Sequence, residues 1–383
     1  MAEIPAARWD ACANPEGLAV PENPFLSHAF LESLEKSDSA VPQTGWAPAH
    51  LLLEREDGDL LAVAPTYLKS HSQGEYVFDH AFADALERAG GRYYPKLQVA
   101  VPFTPVTGRR LLVRAGVDEA SAREALASAL LQLMDRTGCS SVHLTFLTES
   151  EQAFLAERDF LARQDIQYHW TDEGYGSFEG FLRALASRKR KALRRERRDA
   201  LSDGLSVRWI TGSGLREEHW DSFWEFYQDT GSRKWGQPYL TREFFSLLGE
   251  RMADQVLLIF AERNGRPVAG ALNIIGADTL FGRYWGCVED HPFLHFELCY
   301  YQAIDYALAN GLRRVEAGAQ GGHKLARGYR PVLTHSAHAF AHPGLAAAVG
   351  DYLSRERAEI AAVQAAFQEQ TPFRVEPACP SRD

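Results

Sequence analysis

Cysteine is scarce in this chain and is not arranged for cross-linking or metal. Cys12, Cys139, Cys287, Cys299 and Cys379 are odd in number, far apart and without any CxxC pair. That spacing argues against a disulfide framework and against a zinc site, and it fits a reducing compartment. No run approaches the roughly eighteen uncharged apolar residues of a membrane span. The opening MAEIPAARWDACANPE has no basic start followed by an apolar stretch, so a cytoplasmic protein without a membrane span is expected. There is no GxSxG, and Cys287 and Cys299 fall where core residues are expected, so a serine or cysteine nucleophile has no support. Positive charge is outnumbered, 41 Lys and Arg against 51 Asp and Glu, for a net charge of −10. The whole molecule should therefore repel polyanions, and any binding of them must come from a local patch. What remains is ordinary globular material: 383 residues, 45% hydrophobic and 24% charged, enough for two domains or one large one.

The chain reads as a duplication. Segment 50–78 is strand, turn at Asp57-Gly58, strand, turn, strand, and segment 256–285 repeats the pattern around Asn264-Gly265. Aligning Gly58 with Gly265 places Ala62 on Ala269 and Ala64 on Ala271. Upstream, PFLSHAFLESL matches PYLTREFFSLL; downstream, LASALLQLMDRTGCSSVHLTF matches CYYQAIDYALANGLRRVEAGA, with Gly138 on Gly311. Long helices are expected at 119–137 and 296–310, from Leu126, Leu130, Leu133 and Met134 and from Phe296, Tyr300, Ile304 and Ala307, each closed by its glycine. The expected class is α/β (α+β) with a mixed sheet. The first unit would span 1–170, with a Pro-rich loop insertion at 93–113. The second would span 175–383, preceded by a basic helix at 178–201.

Several places concentrate chemistry. Arg183, Arg188, Lys189, Arg190, Lys191, Arg194, Arg195, Arg197 and Arg198 are opposed only by Glu196, while Phe178, Phe181, Leu182, Leu185, Leu193 and Leu201 supply an apolar stripe. The result is one long helix with a docked face and a cationic face, fit either for a phosphate-bearing partner or for pairing with acidic neighbours. Segment 316–331, EAGAQGGHKLARGYRP, brings Gly318, Gly321 and Gly322 together with Glu316, Gln320, His323, Lys324, Arg327 and Tyr329 at a strand end, a site-like crowding. Gly282 and Gly286 flank Tyr284 and point to a bulge or a close backbone approach. Arg233-Lys234-Trp235-Gly236 is an aromatic and basic patch suited to stacking or cation–π contact. His291 and His295 have i, i+4 spacing, but Pro292 and the missing Glu make a poor metal site, and no metal is expected.

The strings VPFTPVTGRRLL, GSRKWGQPYLT, GCVEDHPFLHFELCYYQAIDYAL and EAGAQGGHKLARGY resemble the FemAB-like group of the GNAT superfamily, associated with peptidoglycan biosynthesis or recognition. The resemblance implies tandem GNAT-like modules and an N-acyltransferase that moves an acyl or aminoacyl group from acyl-coenzyme A or aminoacyl-tRNA to an amine. It also implies that strand 282–286 lends a backbone N–H to the acyl carbonyl. The usual pyrophosphate turn of coenzyme A users is missing, because Glu289-Asp290-His291-Pro292-Phe293-Leu294-His295 stands in its place and two carboxylates with a proline form a poor anion cradle. In the first unit, 102–110 offers Phe103, Thr104, Thr107, a glycine and two arginines, but no standard motif.

The mechanism expected is direct attack without a covalent intermediate. Glu316 serves as base and Tyr284 or His323 as acid. Gln320, Gly321, Gly322, Lys324, Arg327, Tyr329, Arg188, Arg190, Arg194, Phe103, Thr104, Thr107 and Trp235 form the donor and substrate site. The acceptor would be a small-molecule or peptide amine, and the macromolecular partner a tRNA or a nucleotide-linked precursor. The competing reading is a non-catalytic module of the same fold that binds a peptidoglycan precursor or nucleic acid.

Overall fold

The structure, a computed structural model, describes residues 1–17, 22–234, 238–319, 321–369 and 371–374. Its centre is one mixed sheet of eleven strands. In spatial order these are Trp46–Pro48, Thr66–Lys69, Lys96–Val99, Ser141–Leu147, Arg330–Phe340, Leu161–Thr171, Arg314–Glu316, Thr279–Cys287, Arg266–Ile275, Val256–Arg263 and Leu205–Thr211. Neighbours are antiparallel except in two places, Lys96–Val99 beside Ser141–Leu147 and Thr279–Cys287 beside Arg314–Glu316. A parallel pair needs a crossover, and each has its helix: Glu119–Thr137 in the first half, and a helical segment from Leu294 to Ala309 in the second. Gly138 and Gly311 follow these helices with φ of 63° and 70°, the left-handed conformation that ends a helix.

The α/β mixed sheet follows the expectation. The hairpin at Asn264-Gly265 has φ of 52° and 77°, the primed turn that matches strand twist. Its first-half counterpart leaves the main sheet. Beyond Ala49-His50 and Pro65 the chain turns into a small sheet of Leu51–Glu54, Leu60–Ala64 and Leu112–Val113. Pro65 has no N–H to continue the ladder.

The halves also exchange their last strands. Leu161–Thr171 pairs with Arg314–Glu316 of the second half, whereas Arg330–Phe340 pairs with Ser141–Leu147 of the first. These two strands pair with each other from Arg330–His169 to His338–Leu161. Helix Pro343–Glu369 then crosses back, setting Leu345, Val349 and Leu353 against Phe82, Leu86 and Tyr93.

Two expectations are corrected. The region 93–113 is not a loop, because Lys96–Val99 is a fully buried strand inside the main sheet and Leu112–Val113 joins the small one. Lys96 and Gln98 gave it a polar look, yet both are buried: Gln98 bonds Thr145 Oγ1 at 2.9 Å, and Lys96 bonds Glu75 Oε2 at 2.7 Å and also reaches Asp79. The basic helix is two helices, Phe178–Ala184 and Ser187–Ala200. They part at Leu185 and Ala186, which are extended because the backbone there bridges to Pro372 and Phe373 near the end of the chain.

Candidate active site

In the second half, strand Thr279–Cys287 pairs with Arg314–Glu316 only as far as Phe281 and Glu316. Beyond that point it keeps its antiparallel partner Arg266–Ile275 and pairs with no strand on its other edge among the described residues. The register with that partner shifts between Leu272 and Asn273, so Arg283 is the extra residue of a bulge. Gly282 sits at this level, where a Cβ would lie 3.3 Å from the carbonyl oxygen of Glu316. Gly286 is tighter, since a Cβ there would stand 2.0 Å from the backbone oxygen of Phe226 in helix Glu217–Lys234. Both glycines therefore answer to close approach. Gly286→Ala should cost about 1–3 kcal/mol or more through overpacking against backbone that has no rotamer to yield. Chemical denaturation is the check, and an unchanged midpoint would mean that the helix moves freely.

Glu316 closes its strand and faces a cavity of about 440 Å³, whose wall includes Asn23, Thr107, Arg109, His169, Asp278 and Arg314. Its Oε1 lies 3.7 Å from His169 Nδ1, and its Oε2 is buried with no hydrogen-bond partner among the described residues. His169 comes from the exchanged strand, directly opposite Glu316 in register. Burial holds this imidazole below its usual pKa. The cations of the wall are engaged elsewhere: Arg314 pairs with Asp278 at 2.8 Å, and Arg109 donates to the Ala13 carbonyl at 2.6 Å.

After Gly318, Gly321 has φ of 123°, and a short 3-10 helix, Gly322–Arg327, carries the polar residues. Lys324 is buried; its Nζ donates to the Gly318 carbonyl at 2.9 Å, and burial lowers its pKa to about 8. His323 is exposed, with its Nε2 2.9 Å from the Tyr300 hydroxyl and its ring beside Phe296. Tyr300 belongs to the core that also holds Leu280 and Val315, whereas Phe281 belongs to the core on the opposite face. Glu316 and His323 thus lie on either side of the sheet, at the level where the strands part.

Other expected residues are placed differently. Tyr284 is partly buried, donates its hydroxyl to the Phe103 carbonyl at 3.0 Å and packs on Tyr227, and burial raises its pKa well above the usual range. Arg327 is not free for phosphate. It contacts Glu196 at 3.0 and 3.1 Å, Tyr301 at 3.1 Å and the Phe296 ring at 3.5 Å. Tyr329 is fully buried against Tyr300. Phe103 is buried, stacked on Tyr239 with φ of 59°, and the Thr104 hydroxyl bonds the Pro102 carbonyl at 3.1 Å. Of that first-half trio only Thr107 reaches the cavity. Gly321 lines a second cavity of about 330 Å³, and Gly322 is exposed. Gln320 and Trp235 lie outside the described residues.

The basic helix divides its charges. In the C-terminal part Arg194 pairs with Glu179, Arg195 and Arg198 with Asp199, and Arg197 with Glu297 at 2.8 Å and Asp305 at 2.7 Å. Arg188, Lys189, Arg190 and Lys191 form no ion pair among the described residues. The helix start has neither a side-chain cap nor an acidic residue in its first turn. The second crossover helix contains a π turn, Glu297–Tyr301, that supplies Glu297 to Arg197, Tyr301 to Arg327 and Tyr300 to His323. Nothing in helical spacing announces such a turn.

The FemAB-like family model, described as peptidoglycan biosynthesis/recognition, matches residues 1–375. The chain belongs to the FemAB-like family. Among solved structures it is similar to FemX, with 12% identity over 91% of this chain and 98% of that one and a TM-score of 0.53. It is likewise similar to L-PGS from Bacillus licheniformis, with 10% identity, 88% and 99% coverage and a TM-score of 0.51. A third, the C-terminal domain of a putative lysylphosphatidylglycerol synthetase from Agrobacterium fabrum, has 10% identity, 84% and 96% coverage and a TM-score of 0.51. No curated protein matches the chain. The fold of this family member is α/β, built on one mixed sheet. No helix among the described residues is long and apolar enough to cross a membrane.

Proposed function

We propose that this FemAB-like protein transfers an acyl or aminoacyl group from an activated donor to the amine of a small molecule or peptide, without a covalent intermediate. The observation that carries the reading is the carboxylate of Glu316, whose Oε2 has no hydrogen-bond partner among the described residues, set where two strands part and facing a cavity large enough for a substrate. A carboxylate there takes a proton from the acceptor ammonium, and the amine nitrogen then bonds to the donor carbonyl carbon. The ester or thioester bond to the leaving group breaks, the leaving oxygen or sulfur takes a second proton, and the amide keeps the third. His323 stands on the opposite face of the sheet for the second transfer, and the edge of strand 282–286 that pairs with no strand among the described residues supports backbone polarisation of the carbonyl.

Aminoacyl-tRNA is the favoured donor. The place of a coenzyme A pyrophosphate turn holds Glu289 paired with Arg263 at 3.1 Å and with His291 at 3.0 Å, and Phe293 starts the helix with φ of 63° and no side-chain cap. Four cations with no ion pair among the described residues are, by contrast, held against the dipole at a helix start without a side-chain cap unless an anion arrives. The family's association with peptidoglycan supports a cell-wall peptide amine as acceptor.

The test is transfer of a labelled group by the full chain, from charged tRNA or from acetyl-coenzyme A, to peptide amines. Replacing Arg188, Lys189, Arg190 and Lys191 with alanine should weaken charged-tRNA binding and flatten its log–log salt dependence by roughly 0.7 per lost phosphate contact. Arg194→Ala should leave that slope unchanged. Transfer from neither donor would favour the binding-module reading.

A further inference from the structure

We propose that the cavity at Glu316 seats the acceptor as a primary ammonium, held between the Glu316 carboxylate and the Nδ1 lone pair of His169. The proposal rests on the transferase reading and names the group that recognises its acceptor.

The chain of contacts begins outside the cavity. Gln167 Nε2 lies 2.8 Å from the Pro105 carbonyl, and only an amide N–H fits there, which turns Gln167 Oε1 toward His169. His169 Nε2 is 3.2 Å from that oxygen and so carries the ring hydrogen. A neutral His169 therefore presents a bare lone pair at Nδ1, and what faces it, 3.7 Å away, is Glu316 Oε1, another acceptor. Two acceptors confront each other with no hydrogen between them, while Glu316 Oε2 has no partner either. Both side chains line the same cavity. Buried acceptors left this way are costly, and a group carrying several N–H donors at one nitrogen satisfies them together. A primary ammonium does so: one hydrogen to Nδ1 and one to the carboxylate.

The first half shows the same register without the cavity. Leu97 and Val142 pair as Leu280 and Val315 do, which places His143 where Glu316 stands, opposite His338 as Glu316 is opposite His169. There the pair is closed on itself, Nδ1 to Nδ1 at 2.7 Å, and fully buried. Only the second-half pair is open to a ligand in this way.

The experiment uses the full chain labelled with ¹⁵N-histidine and no donor. The His169 signals, identified by their loss in His169→Asn, should show hydrogen on Nε2. Adding 1,4-diaminobutane should shift Nδ1, and tetramethylammonium, which has the charge but no N–H, should not. Gln167→Leu should raise the half-saturating diamine concentration about tenfold, as loss of one hydrogen bond's fixing would; it also serves as the test if His169→Asn does not fold. Hydrogen on Nδ1, an equal response to tetramethylammonium, or no response to the diamine would each overturn the proposal. Because no donor is present, failure of transfer with every donor leaves this result standing, and transfer without diamine binding overturns only this.

Discussion

Glu316→Gln is expected to lower turnover by roughly 10²–10⁴-fold, the range for loss of a positioned general base. Stability should change by less than about 1 kcal/mol, because the carboxylate makes no hydrogen bond to protein whose removal would strand a partner. The two readouts must be taken together on one preparation. Turnover within about threefold of the unaltered chain would take Glu316 out of the chemistry, and a large loss of stability would recast it as structural. Glu316→Asp, which withdraws the carboxylate by one methylene from its place opposite His169, should fall between the two.

Lys96→Met is expected to destabilise the protein by about 3–5 kcal/mol with no chemistry involved. The ammonium is fully buried, donating to Ser72 Oγ at 2.8 Å and Glu75 Oε2 at 2.7 Å and contacting Asp79, to which Tyr93 also donates at 2.7 Å. Burial works against its charge, but Glu75 and Asp79 outweigh that and hold it above the usual lysine range. Removing it leaves Asp79 buried without the ammonium that holds its pKa down, and Glu75, lifted by burial to about 7, with Lys69 at 3.8 Å. Denaturant unfolding measures the loss. Adding Glu75→Gln and Asp79→Asn to Lys96→Met should recover most of it, and a loss below about 1 kcal/mol in the single variant would show that the network is not an ionic one.

How much of this was legible depended on whether a signal was local. The hairpin turn at Asn264-Gly265, the helix-ending Gly138 and Gly311, and the tight approach at Gly286 are each written in one or two residues. Glu316 at a strand end beside glycines was readable for the same reason. Lys96–Val99 was missed because its polar residues are buried by partners far along the chain. The split of the basic stretch was missed because Leu185 and Ala186 are drawn out by residues near the other end of the chain. Arg327 looked available until Glu196, from the cationic helix itself, was found bound to it. His169 did have a signal: Gln167, His169 and Thr171 alternate with Tyr168 and Trp170 in the manner of a strand, yet the stretch falls at the end of the first expected unit, 1–170, where no site was sought.

The swapped final strands have a consequence for how the molecule is made. A nascent first half cannot complete its sheet, because the neighbour that Ser141–Leu147 requires is residues 330–340. Until those emerge from the ribosome, Ser141–Leu147 and Leu161–Thr171 each offer unsatisfied backbone to whatever is nearby. Synthesis stopped short of that segment therefore yields not a smaller working unit but a sticky one.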